Sequence, residues 1–334
     1  MIASELEQIM KIDSTSGREV EIARFIADNF RFPGAVLETQ EVGDGSVNLF
    51  YKWGKPEIIF CTHLDTVPPY IEPRSGNNIV YGRGACDAKG QIVTDWSVCR
   101  ELYSEGENNF GLLLLAGEET GSRGAKVANN LISDCRYVII GEPTENKLIR
   151  QGKGIQLYEV QIRGVSCHSG YPQFGDNAIG RMTVFLGRLS ELQFPEDPVT
   201  GSTTYNVGQL SSDNAYNVLS DLVTFKIYFR TTFRSHLTIE NSLRIISDEK
   251  TTITKVREDN PFEYYFIDGF ESDTVAFGTD GPCLYNLGKC LLYGPGSIKV
   301  AHTAHEFINI PDIEKAISDL KKIFKTLKNR TGPE

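Results

Sequence analysis

Side chains that bind metal ions or move protons recur at one kind of place in this chain. His63 and Asp65 follow the apolar run EIIFCT, Glu118 and Glu119 follow LLLLAG, and Glu142 follows YVIIG. Asp87 sits in GRGACDAKG, a glycine-bounded loop that opens a helix. In open α/β sheets, sites assemble beyond the carboxyl ends of strands, so one histidine and several carboxylates can converge on one rim. Zinc accepts imidazole nitrogen and carboxylate oxygen, and two ions a few ångströms apart need a ligand that bridges them. A bridging carboxylate, with one histidine and one further carboxylate per ion, leaves room for water and a substrate carbonyl. The Glu118–Glu119 pair then offers one carboxylate for metal and one to take the proton from that water. The second histidine is missing from the first half of the chain. GPGSIKVAHTAHEF supplies two, His302 and His305, and spacing does not choose between them.

Each residue also has an ordinary alternative. A single histidine after a strand is more often a surface or hydrogen-bonded one, adjacent glutamates are usually solvated charge, and an aspartate among glycines is often a turn residue. What points to chemistry is their joint placement at the same end of successive strands. Rival mechanisms lack their motifs: H-E-x-x-H, G-x-S-x-G, a Walker phosphate loop and G-x-G-x-x-G are all absent. Cys167 and His168 are neighbours, but adjacent residues rarely bring both side chains into hydrogen-bond reach.

The elements that must position these residues read as helices alternating with buried strands. Residues 19–30 have helical apolar spacing. Glu57–Thr62, Leu112–Ala116 and Tyr137–Ile140 are continuous apolar runs, as suits strands covered on both faces. Ala88–Tyr103 and Gly124–Leu131 read as the helices between them. The expected fold is α/β: a mixed, mostly parallel sheet with helices on both faces. From about residue 154 the texture changes. Strands at Ile155–Arg163, Thr203–Leu210, Leu222–Thr231 and Thr251–Val256, with helices at Asn177–Leu192 and Leu237–Asp248, give the order β-α-β-β-α-β of a ferredoxin-like α+β unit. Past Pro261 come a turn after Val275–Gly278, a strand at Lys289–Tyr293 and a final amphipathic helix at Ile313–Leu327. The simplest organisation is a catalytic domain, residues 1–153 and 263–334, with a second domain, residues 154–262, inserted into it.

The chain has 334 residues, enough for two domains. Its hydrophobic content of 40% and charged content of 23% are those of an ordinary globular protein. A net charge of −10 speaks against nucleic acid or an anionic membrane as partner. Seven dispersed cysteines without C-x-x-C spacing argue against a disulfide framework. Residues 1–10 carry acidic side chains and no basic stretch, so the expected compartment is the cytoplasm.

THLDTVP, YGRGACDAKG, GEETGSRGA, IGEPTENK and GPGSIKVAHTAHEF resemble, in that order, the signatures of the acetylornithine deacetylase and succinyl-diaminopimelate desuccinylase family. That family also holds dipeptidases, carboxypeptidases and aminoacylases, and the resemblance covers nearly the whole chain. It implies two zinc ions, with cobalt or manganese as substitutes. His63 would bind one ion, oriented by Asp65, and Asp87 would bridge both. Glu118 would be the general base, Glu119 would bind the second ion, and Glu142 would complete the first. The resemblance favours His302 over His305 as the last ligand.

The inserted domain resembles the family's lid, which commonly carries the contact of a homodimer. RGVSCHSG matches the lid's histidine motif, so His168 would stabilise the oxyanion, often across the dimer. Arg230 would clamp a substrate carboxylate, and Asn217 would lie near the substrate. The lid motif more often reads AAHS than SCHS, and FGTDGPCLYNLG is only loosely like its counterparts; both bear on substrate identity. The resemblance implies an amidohydrolase that removes an acyl group, most simply acetyl, from N-acetylornithine, N-acetylcitrulline or N-acetyl-lysine. A dipeptidase, aminopeptidase or desuccinylase is the alternative within the family. A silent binding protein on the same fold is the alternative outside it, although the expected ligands and base are all present.

Overall fold

The structure, a computed structural model, describes residues 2–131 and 134–330. Met1, residues 132–133 and residues 331–334, all in the expected catalytic domain, lie outside the described residues. The chain divides into two compact units. One comprises Met1–Arg150, Tyr264–Asp273 and Thr279–Glu334; the other comprises Gln151–Glu263 and Thr274–Gly278.

In the first unit the apolar runs form the centre of a six-stranded mixed sheet. Its spatial order is Val36–Gly43, Ser46–Trp53, Phe110–Leu115, Ile58–His63, Tyr137–Ile140 and Lys289–Leu292. The last four strands are parallel, and the first two join them as an antiparallel hairpin. Every residue of Ile58–His63, Phe110–Leu115 and Tyr137–Ile140 is buried. That burial on both faces is why these segments read as unbroken apolar runs. The helices Lys89–Ser104 and Ile310–Lys328 pack on each other and on Ile58–His63, and Phe324 inserts between Phe60 and Phe110 at ring distances of 6.2 and 5.9 Å. Glu19–Asn29 packs against Ser46–Trp53. Because the central strands are parallel, their carboxyl ends share one rim of the sheet. The residues just past those ends are the ones singled out above.

The second unit is a four-stranded antiparallel sheet with two helices, in the chain order β-α-β-β-α-β. The strands are Gly154–Arg163, Thr204–Ser211, Leu222–Thr231 and Thr251–Asp259, and the helices are Ala178–Glu191 and Ile239–Ile246. The spatial order puts Leu222–Thr231 and Gly154–Arg163 in the centre, the arrangement of a ferredoxin-like fold. Leu222–Thr231 alternates strictly, with Val223, Phe225, Ile227 and Phe229 turned inward. They meet Phe185, Leu189 and Leu243 of the helices in a core of the unit's own. The fold class is thus a mixed, mostly parallel α/β sheet with a separate antiparallel α+β unit.

Candidate metal centre

His63 is the last residue of its strand, and its ring is almost fully buried. Its Nδ1 is 2.9 Å from the main-chain oxygen of Asp65, with an Asp65 carboxylate oxygen at 3.4 Å. Its Nε2 is 3.0 Å from Asp87 Oδ1 and 3.9 Å from Glu142 Oε1. Both ring nitrogens therefore face oxygens that can only accept. On the other side of Asp87, Oδ2 is 3.2 Å from His302 Nε2, which is also 2.9 Å from Glu119 Oε1. The result is two groups of ligand-type atoms, each within 4.8 Å of one another: His63, Asp87, Glu142 and Asp87, Glu119, His302. Asp87 belongs to both and turns a different oxygen to each.

Local geometry explains how the chain delivers these side chains. Gly117 has φ +72°, a left-handed conformation that only glycine adopts without cost, and it turns the chain directly after Phe110–Leu115. The turn aims the N–H groups of Glu118 and Glu119 at Asp65, donating to Oδ1 at 2.9 Å and Oδ2 at 3.2 Å. Ser16 donates to the same carboxylate at 3.0 Å. Asp65 therefore holds the turn that carries Glu118 and Glu119 as well as backing His63. His302 itself has φ +62°, which is uncommon for a residue with a side chain and typical of functional sites that the surrounding structure over-determines.

The electrostatics follow from crowding acids below a protein surface. Burial alone would lower the proton affinity of His63. Hydrogen bonds to Asp65 and Asp87 and the charge of Glu142 outweigh it and hold the ring well above the usual imidazole range. Hydrogen bonds to Asp87 and Glu119 push His302 up to about 10. Burial opposes ionisation of Asp87, yet the hydrogen bonds from His302 and His63 keep its carboxyl well below the usual range. Burial, and then the neighbouring acidic charges, raise Glu118 and Glu142 well above the ordinary carboxylate range. So many acids facing two imidazoles is a cavity built for positive charge. Nitrogen and oxygen donors, three per group with one shared, match the preferences of zinc.

The structure thus brings together His63, Asp65, Asp87, Glu118, Glu119, Glu142 and His302. His305 belongs to neither group; it is exposed, and its N–H donates to Thr303 Oγ1 at 3.2 Å. The other candidates lie on the second unit. His168 is exposed, and its Nδ1 accepts from the Gly170 N–H at 3.0 Å. Ser169 N–H donates to the Asn217 carbonyl at 2.9 Å, so His168 and Asn217 share one corner of that unit. Arg230 is half-buried, with its guanidinium 4.7 Å from the Tyr228 ring centroid.

Two acids near the centre escaped the sequence reading. Asp280, in FGTDGP, is buried, and its Oδ1 has no hydrogen-bond partner. Burial, with Asp65 and Glu119 adding negative charge nearby, pushes it up to about 6. Its position just past a strand-like segment was the available signal. Glu306, four residues after His302, is also wholly buried.

Residues 59–326 match the family described as Peptidase family M20/M25/M40. A peptidase M20 domain-containing protein of Schizosaccharomyces pombe is 31% identical over 95% of this chain and 82% of its own length. A probable carboxypeptidase of Aspergillus clavatus is 31% identical over 96% of this chain and 88% of its own. A tripeptidase from Staphylococcus aureus has the same fold, with a TM-score of 0.82 over 98% of both chains at 19% identity.

Proposed function

Because the chain belongs to peptidase family M20/M25/M40, we propose that it is a two-zinc hydrolase cleaving an amide bond in a short peptide with a free carboxylate. The observation that carries this reading is Asp87, whose two oxygens serve two separate ligand groups. His63 and Glu142 would complete one zinc site, and Glu119 and His302 the other; cobalt or manganese would suit the same donors. When bound, the ions supply Lewis-acid polarisation of the carbonyl and make the attacking water more acidic.

The chain's own residues do the rest. Glu118 takes a proton from the water as its oxygen attacks the carbonyl carbon, and passes it to the leaving nitrogen. One water is consumed, and an acid and an amine result. Asp65 fixes the turn that carries Glu118. His168 is assigned, on its motif, to donate to the carbonyl oxygen as negative charge develops. Because Nδ1 accepts from Gly170, the proton of a neutral ring sits on Nε2, which leaves a donor facing outward. Arg230 would bind the substrate carboxylate and Asn217 would lie near the substrate. The same reading extends to a cytoplasmic homodimer joined through the second unit.

The substrate class is supported by relatives named as carboxypeptidases and tripeptidases. A second reading, removal of an acyl group from an N-acyl amino acid, is supported by the GEPT and GPG-x-x-x-x-AH motifs. One panel separates them: zinc-loaded protein with dipeptides, tripeptides, N-acetylornithine, N-acetylcitrulline, N-acetyl-lysine and succinyl-diaminopimelate. Peptide turnover that stops with chelator is expected. Turnover of the acetylated amino acids alone would replace the peptidase reading, and no turnover with any of them would end both.

A further inference from the structure

The loop that delivers Asp87 is held by a buried ion pair formed across most of the chain. Glu306 Oε1 accepts from the main-chain N–H of Cys86 at 3.1 Å and of Asp87 at 3.2 Å. Its Oε2 accepts from Arg83 Nη1 at 2.6 Å, and both side chains are almost entirely shielded from solvent. Arg83 Nε donates to the Pro69 carbonyl at 3.2 Å, which fixes the guanidinium from its other side. The main-chain oxygen of Glu306 accepts from Gly82 N–H at 3.0 Å. Directly after it, Phe307–Asn309 pairs with Ile79–Tyr81. Gln91 ties the Cys86 carbonyl to the Pro295 carbonyl through one amide nitrogen, at 2.8 Å to each.

A carboxylate in this place needs a reason. Burying a negative charge beside an acidic cluster is costly, and a well-packed apolar pair would cost less. What an apolar pair could not do is accept two main-chain N–H groups at the foot of Asp87. Neither could it tie the segment bearing His302, four residues earlier, to that loop. The second ligand group needs Asp87 Oδ2 and His302 Nε2 to stay at 3.2 Å, and Glu306 is bonded directly to one strand of chain while belonging to the other.

We propose that the Glu306–Arg83 pair is a positioning device for the shared ligand: Glu306 sets the main chain of Asp87, and with it the split of the two carboxylate oxygens between the ligand groups. This rests on the two-metal reading above. Arg83 balances the charge of Glu306, so that the acceptor acts on geometry without adding net charge next to Asp87. Neither residue touches the reacting atoms.

The test is metal affinity in folded protein, measured by titrating chelator-treated protein with Zn²⁺ against a chelating dye. Glu306→Gln keeps an acceptor oxygen but turns amide donors toward Arg83. It is expected to weaken binding of both ions by about 10- to 100-fold, the usual cost of losing a partner behind a ligand, with an unchanged far-ultraviolet circular dichroism spectrum. Arg83→Lys, which keeps the charge and loses the fork, should weaken both ions several-fold, and it decides the matter if Glu306→Gln does not fold. Phe324→Ala serves as the control for general destabilisation. It removes ring packing against Phe60 and Phe110 and should leave both affinities as in the unaltered protein. Unchanged affinities in the first two variants, a loss confined to one ion, or an equal loss in Phe324→Ala would each overturn the proposal. If the unaltered protein takes up no Zn²⁺, it is the two-metal reading that fails.

Discussion

The two units hold their candidate residues in opposite ways. In the first, the side chains are buried or half-buried and bonded to one another, so that Asp65 holds the turn of Glu118 and Glu119 while Asp87 faces two histidines. In the second, His168 and Asn217 are exposed, and their ties run to main-chain atoms of their own corner. A site that must hold positive charge needs a rigid, desolvated shell, because electrostatic stabilisation is strongest where solvent is excluded and groups need not reorganise. Residues that meet a substrate only while it is bound must stay accessible. Substitutions in the first unit should therefore change metal content, proton handling or both. Those in the second should change kinetics alone.

The largest effect should come from Glu118→Gln. Removing a general base costs about 10²- to 10⁴-fold in turnover, and because Glu118 stands outside both ligand groups, two ions per chain should remain by elemental analysis. Full activity in this variant would remove Glu118 from its role, and loss of metal would move it into the ligand set. Next is His168→Ala, expected to lower kcat by about 10²- to 10³-fold, as for loss of an oxyanion donor, again with metal content unchanged. A loss of metal here would erase the contrast between the units.

A smaller, qualitative effect separates the units by pH. In chelator-treated protein the His302 ring is raised to about 10 by Asp87 and Glu119, above its unfolded value near 6.5. A group whose folded pKa is raised contributes stability that is fully present below the unfolded value and is lost as pH climbs through the folded one. Thermal stability without metal should therefore decline between roughly pH 6.5 and 10, by less than full linkage because the His302 side chain is 48% exposed. His302→Gln should make the slope shallower and leave the share contributed by the raised His63, Glu118 and Glu142. With Zn²⁺ present the sign should reverse at the acid end, because protons compete with the ion for the same nitrogen. An identical slope with and without metal would mean that this proton has nothing to do with the centre.

Much of the architecture was legible because burial writes itself into composition. The runs at Ile58–Cys61 and Tyr137–Ile140 are apolar throughout, since both faces of those strands are covered. Leu222–Thr231 alternates because one face is not. The Val36–Gly43 strand was missed. It is an edge strand, exposed at most positions, so nothing forces apolar alternation on it. Its one clear mark was the turn at Asp44 and Gly45, with φ 52° and 77°, the Asp-Gly signal of a tight hairpin. For the centre, residue types past strand ends pointed to His63, Glu118, Glu119 and Glu142, because a parallel sheet converts sequence order into a shared rim. The choice of His302 over His305 needed the resemblance, since it depends on a left-handed backbone that two neighbouring histidines do not reveal. Glu306 was not legible, and Asp280 only through its place just past a strand-like segment. Their importance lies in main-chain N–H groups and unpartnered oxygens, which no side-chain pattern encodes.

The smallest predicted effect sharpens the comparison most, because it asks what one half-buried cation on the second unit recognises. A guanidinium can bind a carboxylate through two parallel bonds, whereas an ammonium presents a point charge. Hydrogen bonds to charged groups contribute about 1.5–3 kcal/mol each. Arg230→Lys, which loses one bond and keeps the charge, should then raise KM about tenfold at nearly constant kcat, since 1.4 kcal/mol corresponds to about tenfold. The substrate itself supplies the control: capping the peptide carboxylate as an amide should cost the unaltered enzyme more than it costs Arg230→Lys, because the variant has already lost part of that interaction. Equal penalties in both proteins would show that Arg230 meets some other part of the ligand, or only the Tyr228 ring it already covers.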